Sequence, residues 1–247
     1  MTGRPETPQR AAAERRAAER RAAQRPAPEG VAAPPRVCVL HTVAALPAVF
    51  TPLLAEEAPG VAPYHLVDES LLADTIAHGP LPRTTARLAA HLTGAQQAGA
   101  RAVLVTCSSI GPAAEQARAL VDIPVFRVDE PMAARAVATG PRVAVLATLD
   151  STLRPTAELV ERQAAAVGAP LTLTTSTCAG AYQARVAGRP QEHDRLIAEE
   201  ARRLAENHDV LVLAQASMAA AVPDDALPVP VLSSPRSGAA QLAAFTR

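Results

Sequence analysis

The chain carries four short, wholly apolar runs that are separated by longer amphipathic segments. The runs lie at 37–40, 103–105, 143–146 and 210–213. Brief runs that are rich in branched residues and lack polar alternation are typical of strands buried on both faces. Between them, 82–98 and 191–207 repeat apolar residues at helical spacing. Strands that alternate with helices of this length predict a doubly wound parallel sheet, so we expect an α/β fold.

The two halves of the chain repeat one another. The pattern VxVLxT occurs at 37–42 and at 143–148, and three further pairs of short matches follow it in the same order. Those pairs are 87–88 with 195–196, 103–105 with 211–213, and 123–126 with 229–232. The offset stays nearly constant at 106 or 108 residues, which indicates an internal duplication. We predict two pseudo-symmetric lobes, 37–140 and 141–247, each with a mainly parallel sheet flanked by helices.

Residues 1–36 have a different composition from the rest of the chain. They contain ERRAA-like repeats and prolines at both ends but no apolar stripe, so a helix here would have nothing to bury. We expect a disordered, solvated tail. The alternative is a nucleic-acid-binding arm, because eight Arg against four Glu leave this segment positively charged.

The composition excludes several kinds of chemistry. All 24 residues counted as Lys or Arg are Arg, which rules out a Schiff-base lysine for pyridoxal phosphate and a Walker lysine. The formal net charge of zero argues against binding of nucleic acid or anionic membrane through bulk charge. The three cysteines suit neither a disulfide framework nor a zinc site, and no signal peptide or membrane span is visible. We expect a cytoplasmic protein with no membrane contact, no metal and no cofactor.

Small polar side chains follow the predicted strands at their carboxyl ends. In open α/β sheets, ligands bind beyond these ends. Hydroxyls and backbone amides suit a small carboxylate as the ligand. The residues that we expect to bind the substrate are Thr42, Thr106, Ser108, Ser109, Thr148, Ser151, Thr152, Gln215 and Ser217.

Cys107 stands between the strand at 103–105 and a helix that we expect to begin near Pro112. The amides and dipole of a helix N-terminus lower the pKa of a thiol, and the hydroxyls of Ser108 and Ser109 can donate to the thiolate. The position of Cys107 therefore favours a thiolate. The alternative is a small buried cysteine that only packs at a strand end.

Three motifs together resemble the aspartate/glutamate/hydantoin racemase superfamily over residues 37–240. They are TCSSIG at 106–111, VLATLDST at 145–152 and VLAQASM at 212–218. The resemblance implies two lobes that each place one cysteine on opposite faces of the substrate α-carbon, without a cofactor. Cys107 matches the first cysteine. Gln215 stands at the second position, and glutamine has no accessible pKa with which to act as a base.

This resemblance implies an isomerase that moves a proton at the α-carbon of a small carboxylate, with Cys107 as its acid/base. The missing second thiol favours, as the alternative, a decarboxylase or other lyase acting on a substituted malonate. Single-cysteine decarboxylases of the family carry their cysteine in the second lobe, so this chain would be a mirror arrangement. A catalytically silent protein that binds small carboxylates is the third possibility, and a homodimer stays open as the assembly.

The other two cysteines and two of the histidines also have expected positions in the fold. Cys38 is expected in the core. Cys178 either approaches the cleft or packs elsewhere. His41 is placed near the cleft beside Thr42, and His65 is interpreted as an ordinary strand residue.

Three charged residues near strand ends also have two interpretations. Asp129 and Glu130 either cap a helix or orient a substrate amine or a base. Arg236 either reaches a substrate carboxylate or stays on the surface as a solvated charge.

Overall fold

The computed structural model describes residues 33–223 and 226–246, and it contains two four-stranded parallel sheets. The strands are β1 (Arg36–His41), β2 (Ala62–Val67), β3 (Ala102–Val105), β4 (Val125–Arg127), β5 (Arg142–Ala147), β6 (Thr172–Thr177), β7 (Val210–Leu213) and β8 (Val231–Ser233). Their order is β2-β1-β3-β4 in the first sheet and β6-β5-β7-β8 in the second. The predicted α/β fold with two pseudo-symmetric sheets is confirmed.

Helices flank both sheets. They are α1 (Leu46–Glu57), α2 (Glu69–His78), α3 (Pro82–Gln97), α4 (Gly111–Ala117), α5 (Glu130–Thr139), α6 (Asp150–Val167), α7 (Ala181–Val186), α8 (Pro190–Ala205) and α9 (Ser234–Ala240). Among the 3₁₀ turns, Ser108–Ile110 precedes α4 and Gln241–Phe245 follows α9. No helix in the described ranges is both long enough and apolar enough to cross a membrane.

The strands at 125 and 231 begin two residues later than the apolar pattern suggests. In both lobes a proline, Pro124 or Pro230, precedes the strand. Proline has no N–H to donate to the ladder. Its carbonyl still accepts from the neighbouring strand, at 2.9 Å from Val103 N in the first sheet and 2.9 Å from Leu211 N in the second.

Alternate residues of the central strands supply two apolar cores to each sheet. On one face of the first sheet, Cys38 and Leu40 pack with Leu88 and Leu92 of α3. The other face carries Val37 and Val39. The second sheet alternates in the same way, so both faces are covered, as parallel sheets require.

The last helix of each half packs against the sheet of the other half. Helix α5 follows β4 of the first sheet, yet Met132 and Ala136 pack with Val143 and Val145 of the second. Reciprocally, Ala239 of α9 packs in the core of the first sheet. The two sheets are thereby joined through exchanged helices.

The predicted tail, 1–36, lies outside the described residues except for its last four. Residues 33–35 have no regular structure, and Arg36 begins β1. Arg36 is anchored there, because its guanidinium donates to Ala98 O at 2.8 Å and lies 5.0 Å from the centre of the Tyr64 ring.

Candidate active site

The carboxyl ends of the central strands meet at a cavity. The pairings Leu40↔Val105 and Leu146↔Leu213 put the residues that follow β1 and β3, and those that follow β5 and β7, at one edge of each sheet. The cavity wall includes these sequence-predicted residues: Thr42, Thr106, Cys107, Ser108, Ser109, Thr148, Thr152, Gln215 and Ser217.

Ser151 is the predicted binding residue that does not line this cavity. Its hydroxyl is buried and has no hydrogen-bond partner within the described part of the chain. Ser151 and Thr152 are successive residues of α6, and successive helical residues point about 100° apart. Only Thr152 turns to the cavity, where its Oγ1 lies 2.8 Å from Ser109 Oγ of the other lobe.

Cys107 is a half-buried free thiol on the cavity wall. It has extended backbone angles and precedes the 3₁₀ turn Ser108–Ile110. The expected helix near Pro112 therefore starts earlier, with this turn and then α4 from Gly111. The backbone amides that hydrogen-bond the sulfur belong to Ser109 and Ile110.

The pKa of Cys107 differs from the sequence-based expectation. Burial raises the pKa of the thiol above its ordinary value, because the thiolate loses contact with water. The Thr42 hydroxyl, the amides of Ile110 and Ser109, and the Ser109 hydroxyl lower it, but their sum is smaller than the effect of burial. The expectation of a lowered pKa is therefore wrong, and the thiol is protonated at rest.

Thr42 is placed to respond to ionisation of Cys107. Its Oγ1 is buried and has no hydrogen-bond partner among the described residues. Since the same hydroxyl stabilises the thiolate form of Cys107, it becomes a donor when the sulfur loses its proton.

Gln215 occupies the equivalent place in the second lobe, and its side chain is held by Thr148. The Gln215 Oε1 accepts from Thr148 N at 2.6 Å and from Thr148 Oγ1 at 2.9 Å. A backbone N–H can only donate, so the amide oxygen faces Thr148 and the NH₂ group faces away from it. Thr42 and Thr148 are equivalent residues of the repeat, and each interacts with the second residue after the neighbouring strand.

A buried ion pair lies against Gly111, the first residue of α4. Arg127 is 1% exposed and donates to Asp129 from Nε at 2.9 Å and from Nη2 at 2.7 Å. A Cβ added at Gly111 would clash with the Arg127 guanidinium, so the close approach requires glycine. Asp129 is therefore neither the side-chain cap nor the cleft residue considered from the sequence, because its carboxylate is committed to Arg127.

Other candidates also lie away from the cavity. Cys38 is buried in β1, as expected for a core residue, and Cys178 is buried in the core of the second sheet rather than on the wall. Glu130 pairs with Arg118 at 2.7 Å. Arg236 is exposed and pairs with Glu56 at 2.8 Å and with Glu57.

His41 does not line the cavity, although it contacts a residue that does. The ring is fully buried, and Nδ1 lies 2.8 Å from Oγ1 of the wall residue Thr106. His65 is not an ordinary strand residue, because its Nδ1 lies 2.8 Å from His41 Nε2.

Two wall residues come from a helix that sequence reasoning did not consider. Tyr182 and Arg185 of α7 reach the cavity between the strand ends. Arg185 forms no ion pair with any of the residues that the structure describes, so it is a cation available to a ligand. Tyr182 could have drawn attention as one of only two tyrosines in the chain.

The opposite part of the wall is apolar. Val43, Ala45, Leu46 and Val49 contribute from the start of α1 and the turn before it, and Leu72 from α2. This surface can take an aliphatic or aromatic substituent, whereas the hydroxyls, the Gln215 amide and Arg185 suit oxygen atoms. Within residues 33–223 and 226–246, no three His, Cys, Asp or Glu side chains gather where they could hold a metal ion.

The fold and this cavity define a two-lobed α/β protein with a polar cleft at its strand ends. The family model for Asp/Glu/Hydantoin racemase matches residues 42–242, and the chain belongs to that family. No curated protein sequence matches the chain.

Solved structures of racemases have a similar fold. Glutamate racemase isoform RacE1 from Bacillus anthracis is 15% identical with a TM-score of 0.63, and the match covers 87% of this chain and 82% of that one. Aspartate racemase from Picrophilus torridus is 12% identical with a TM-score of 0.66, over 86% and 94%. Allantoin racemase from Klebsiella pneumoniae is 16% identical with a TM-score of 0.58, over 85% and 87%.

Proposed function

We propose that the protein is a cofactor-independent enzyme that transfers a proton at the α-carbon of a small carboxylate, with Cys107 as its single acid/base. The observation that carries this proposal is a lone thiol on the cavity wall with thiolate donors around it. The family supports an isomerase, and the wall offers donors for a carboxylate from both lobes. Removal of the α-hydrogen places negative charge on the carboxylate oxygens, where Arg185 and the Gln215 NH₂ stabilise it.

The protonated resting state of Cys107 favours a second candidate, decarboxylation of a substituted malonate. In that reaction the bond between the α-carbon and one carboxylate breaks, carbon dioxide leaves, and the electron pair stays on the α-carbon as an enediolate. The Cys107 thiol then gives its proton to that carbon and becomes a thiolate, which a solvent proton restores. Neither step needs a base at position 215.

The two candidates are separated by an assay in deuterated water. Single enantiomers of small acids with an acidic α-hydrogen are followed by NMR for exchange and inversion, and substituted malonates are followed for release of carbon dioxide. Proton transfer at the α-carbon predicts exchange of one enantiomer with little inversion, whereas the second candidate predicts carbon dioxide and a single product enantiomer. Cys107→Ala should abolish either activity.

Two outcomes would contradict this function. Fast racemisation in both directions by the natural sequence would mean that a second base acts opposite Cys107. Binding of the acids without any turnover would identify a protein that has kept the cleft but not the reaction.

A further inference from the structure

A continuous chain of hydrogen bonds runs from the cavity wall to the surface of the first lobe. Thr106 Oγ1 lies 2.8 Å from His41 Nδ1, and His41 Nε2 lies 2.8 Å from His65 Nδ1. The chain ends at Thr51, whose Oγ1 lies 3.2 Å from His65 Nε2. All four side chains are therefore linked in series.

Exposure increases along this chain. Thr106 lines the cavity and is 4% exposed, and His41 is fully buried. His65 lies on β2 at the edge of the sheet and is half-buried, while Thr51 on α1 is exposed. The chain thus joins a buried wall beside Cys107 to bulk water.

The three hydrogen bonds of this chain need three hydrogen atoms. Two neutral imidazoles supply one N–H each, so one threonine hydroxyl must supply the third. Both threonines have an alternative acceptor, because Thr106 Oγ1 also lies 3.1 Å from Leu40 O and Thr51 Oγ1 lies 2.7 Å from Pro47 O. When one threonine hydroxyl donates to its backbone carbonyl, the hydroxyl of the other threonine donates to the neighbouring histidine.

Two arrangements consequently have the same number of hydrogen bonds. In one, every donor points from Thr51 towards Thr106 and on to Leu40 O. In the other, every donor points from Thr106 towards Thr51 and on to Pro47 O. They differ by the position of one proton in each link, so moving a proton through the chain converts one into the other.

The protonation states of the two imidazoles suit such a transfer. Burial, helped by repulsion from His65, lowers the pKa of His41 to about 4, and burial lowers the pKa of His65 as well. Near neutral pH both rings are therefore neutral, with one N–H and one bare nitrogen each, as a relay requires.

We propose that Thr51, His65, His41 and Thr106 form a proton relay that exchanges protons between solvent and the cavity wall beside Cys107. This inference rests on the proposed function, because an enzyme with one thiol gives a net reaction only when that thiol exchanges its proton with solvent. No second cysteine on the described wall can return it.

Each group in the relay gains one proton and loses one, and no group is oxidised or reduced. Inward, solvent protonates Thr51 as its own hydroxyl proton passes to His65 Nε2. The His65 Nδ1 proton then passes to His41 Nε2, and the His41 Nδ1 proton passes to Thr106. Thr106 releases its own hydroxyl proton at the cavity wall that it shares with Cys107, where a proton can reach the thiolate. This leaves both imidazoles in the opposite tautomer, and the outward transfer restores them, so the relay is suited to one proton in and one proton out.

The first test needs no substrate. In ¹⁵N-labelled protein, the two histidines should each show one protonated nitrogen. Although His41 is fully buried, its N–H should exchange with solvent faster than in a variant whose relay is interrupted. His65→Gln keeps a side chain of similar size but cannot relay, since an amide does not exchange its proton as a base. It should slow exchange of the His41 N–H on the order of 10²-fold.

His91→Gln is the matched control, because His91 bonds Asp68 at 2.8 Å and does not join the chain. Its His41 exchange rate should equal that of the natural protein. Equal exchange rates in His65→Gln and the natural protein, with both variants folded, would overturn the relay whatever the enzyme's activity.

The second test uses any substrate found by the exchange assay. His65→Gln should lower exchange of the α-hydrogen with deuterated water more than it lowers cleavage of the C–H bond, because the removed proton returns before it escapes. Added imidazole should restore part of the exchange. A uniform loss of both rates would contradict the relay and indicate a structural role only.

Discussion

At the scale of single residues, equivalent positions of the two lobes carry different chemistry in matching surroundings. The Thr42 hydroxyl stabilises the thiolate form of Cys107, and Thr148 donates to the Gln215 oxygen. Donors that would stabilise an anion are therefore present at both positions. Of the two equivalent positions, only 107 carries a group that can ionise. At this pair of positions the chemical asymmetry thus lies in one side chain and not in the backbone.

Replacing Gln215 by Cys should restore a second acid/base. The Thr148 amide and hydroxyl, which now donate to the Gln215 oxygen, would stabilise a thiolate there. Racemisation should rise relative to α-hydrogen exchange, as measured by optical rotation and by NMR on one sample. The double variant Cys107→Ala, Gln215→Cys is the control, and racemisation that survives in it would contradict a two-base mechanism.

Cys107 should react with iodoacetamide before the other two cysteines. It is half-buried on the cavity wall, whereas Cys38 is fully buried and Cys178 is 5% exposed. Because burial raises the pKa of Cys107, the fraction of reactive thiolate should keep increasing as the pH rises above 9. Mass spectrometry after short labelling at several pH values measures both effects, and a labelling rate that levels off below pH 8 would contradict the raised pKa.

At the scale of elements, the short helix α7 decides what the cavity can bind. It follows β6 and places Tyr182 and Arg185 over strand ends that otherwise offer hydroxyls and one amide. The start of α1 supplies apolar side chains on the wall. The cavity wall therefore offers a cation from one lobe and an apolar surface from the other.

Arg185→Gln should weaken substrate binding. A charge-assisted hydrogen bond at a partly solvated position is expected to change KM by roughly tenfold, with a smaller effect on kcat. Arg189→Gln is the matched control, because Arg189 lies beyond the cavity and pairs with Glu192 at 2.7 Å. Equal KM values for the two variants would show that Arg185 does not contact the substrate.

At the scale of the whole molecule, the exchanged helices make the two sheets depend on each other. Helix α5 completes a core of the second sheet, and α9 completes a core of the first. Glu115 adds a polar link, since it accepts from Arg127 at 2.5 Å and from Arg162 of α6 at 2.8 Å. Because each sheet lacks part of its core without the other half, we expect residues 34–247 to unfold in one transition.

A substitution at the helix exchange should lower the stability of both halves together. A Cβ added at Gly238 of α9 would lie 2.8 Å from Val128 O and closer still to Val128 Cγ2. Gly238→Ala should therefore lower the free energy of unfolding by about 1–3 kcal/mol. Gly94→Ala is the matched control, because a Cβ there meets no atom within 4 Å, and it should raise stability by up to about 1 kcal/mol. Urea unfolding followed by circular dichroism measures both, and two separate transitions would contradict the coupling.

The candidate site could be predicted where it depends on strand ends. Parallel strands end at one edge of their sheet, so the residues after β1 and β3 had to lie together, as did those after β5 and β7, and most of the predicted wall follows from this rule. Ser151 was misplaced, because a one-residue step on a helix changes the direction of the side chain. Arg185 was missed, since no local pattern says which face of a short helix meets a cavity.

The α/β class, the internal repeat along the chain and the lack of a thiol at position 215 follow from the amino-acid sequence alone, because they depend on local periodicity and on residue identity. Only the tertiary structure decided the raised pKa of Cys107, the pairing of His41 with His65 and the exchange of α5 and α9 between the sheets. These features depend on which residues come together in three dimensions. His41 and His65, for example, are 24 residues apart in sequence, and their spacing does not predict that they meet.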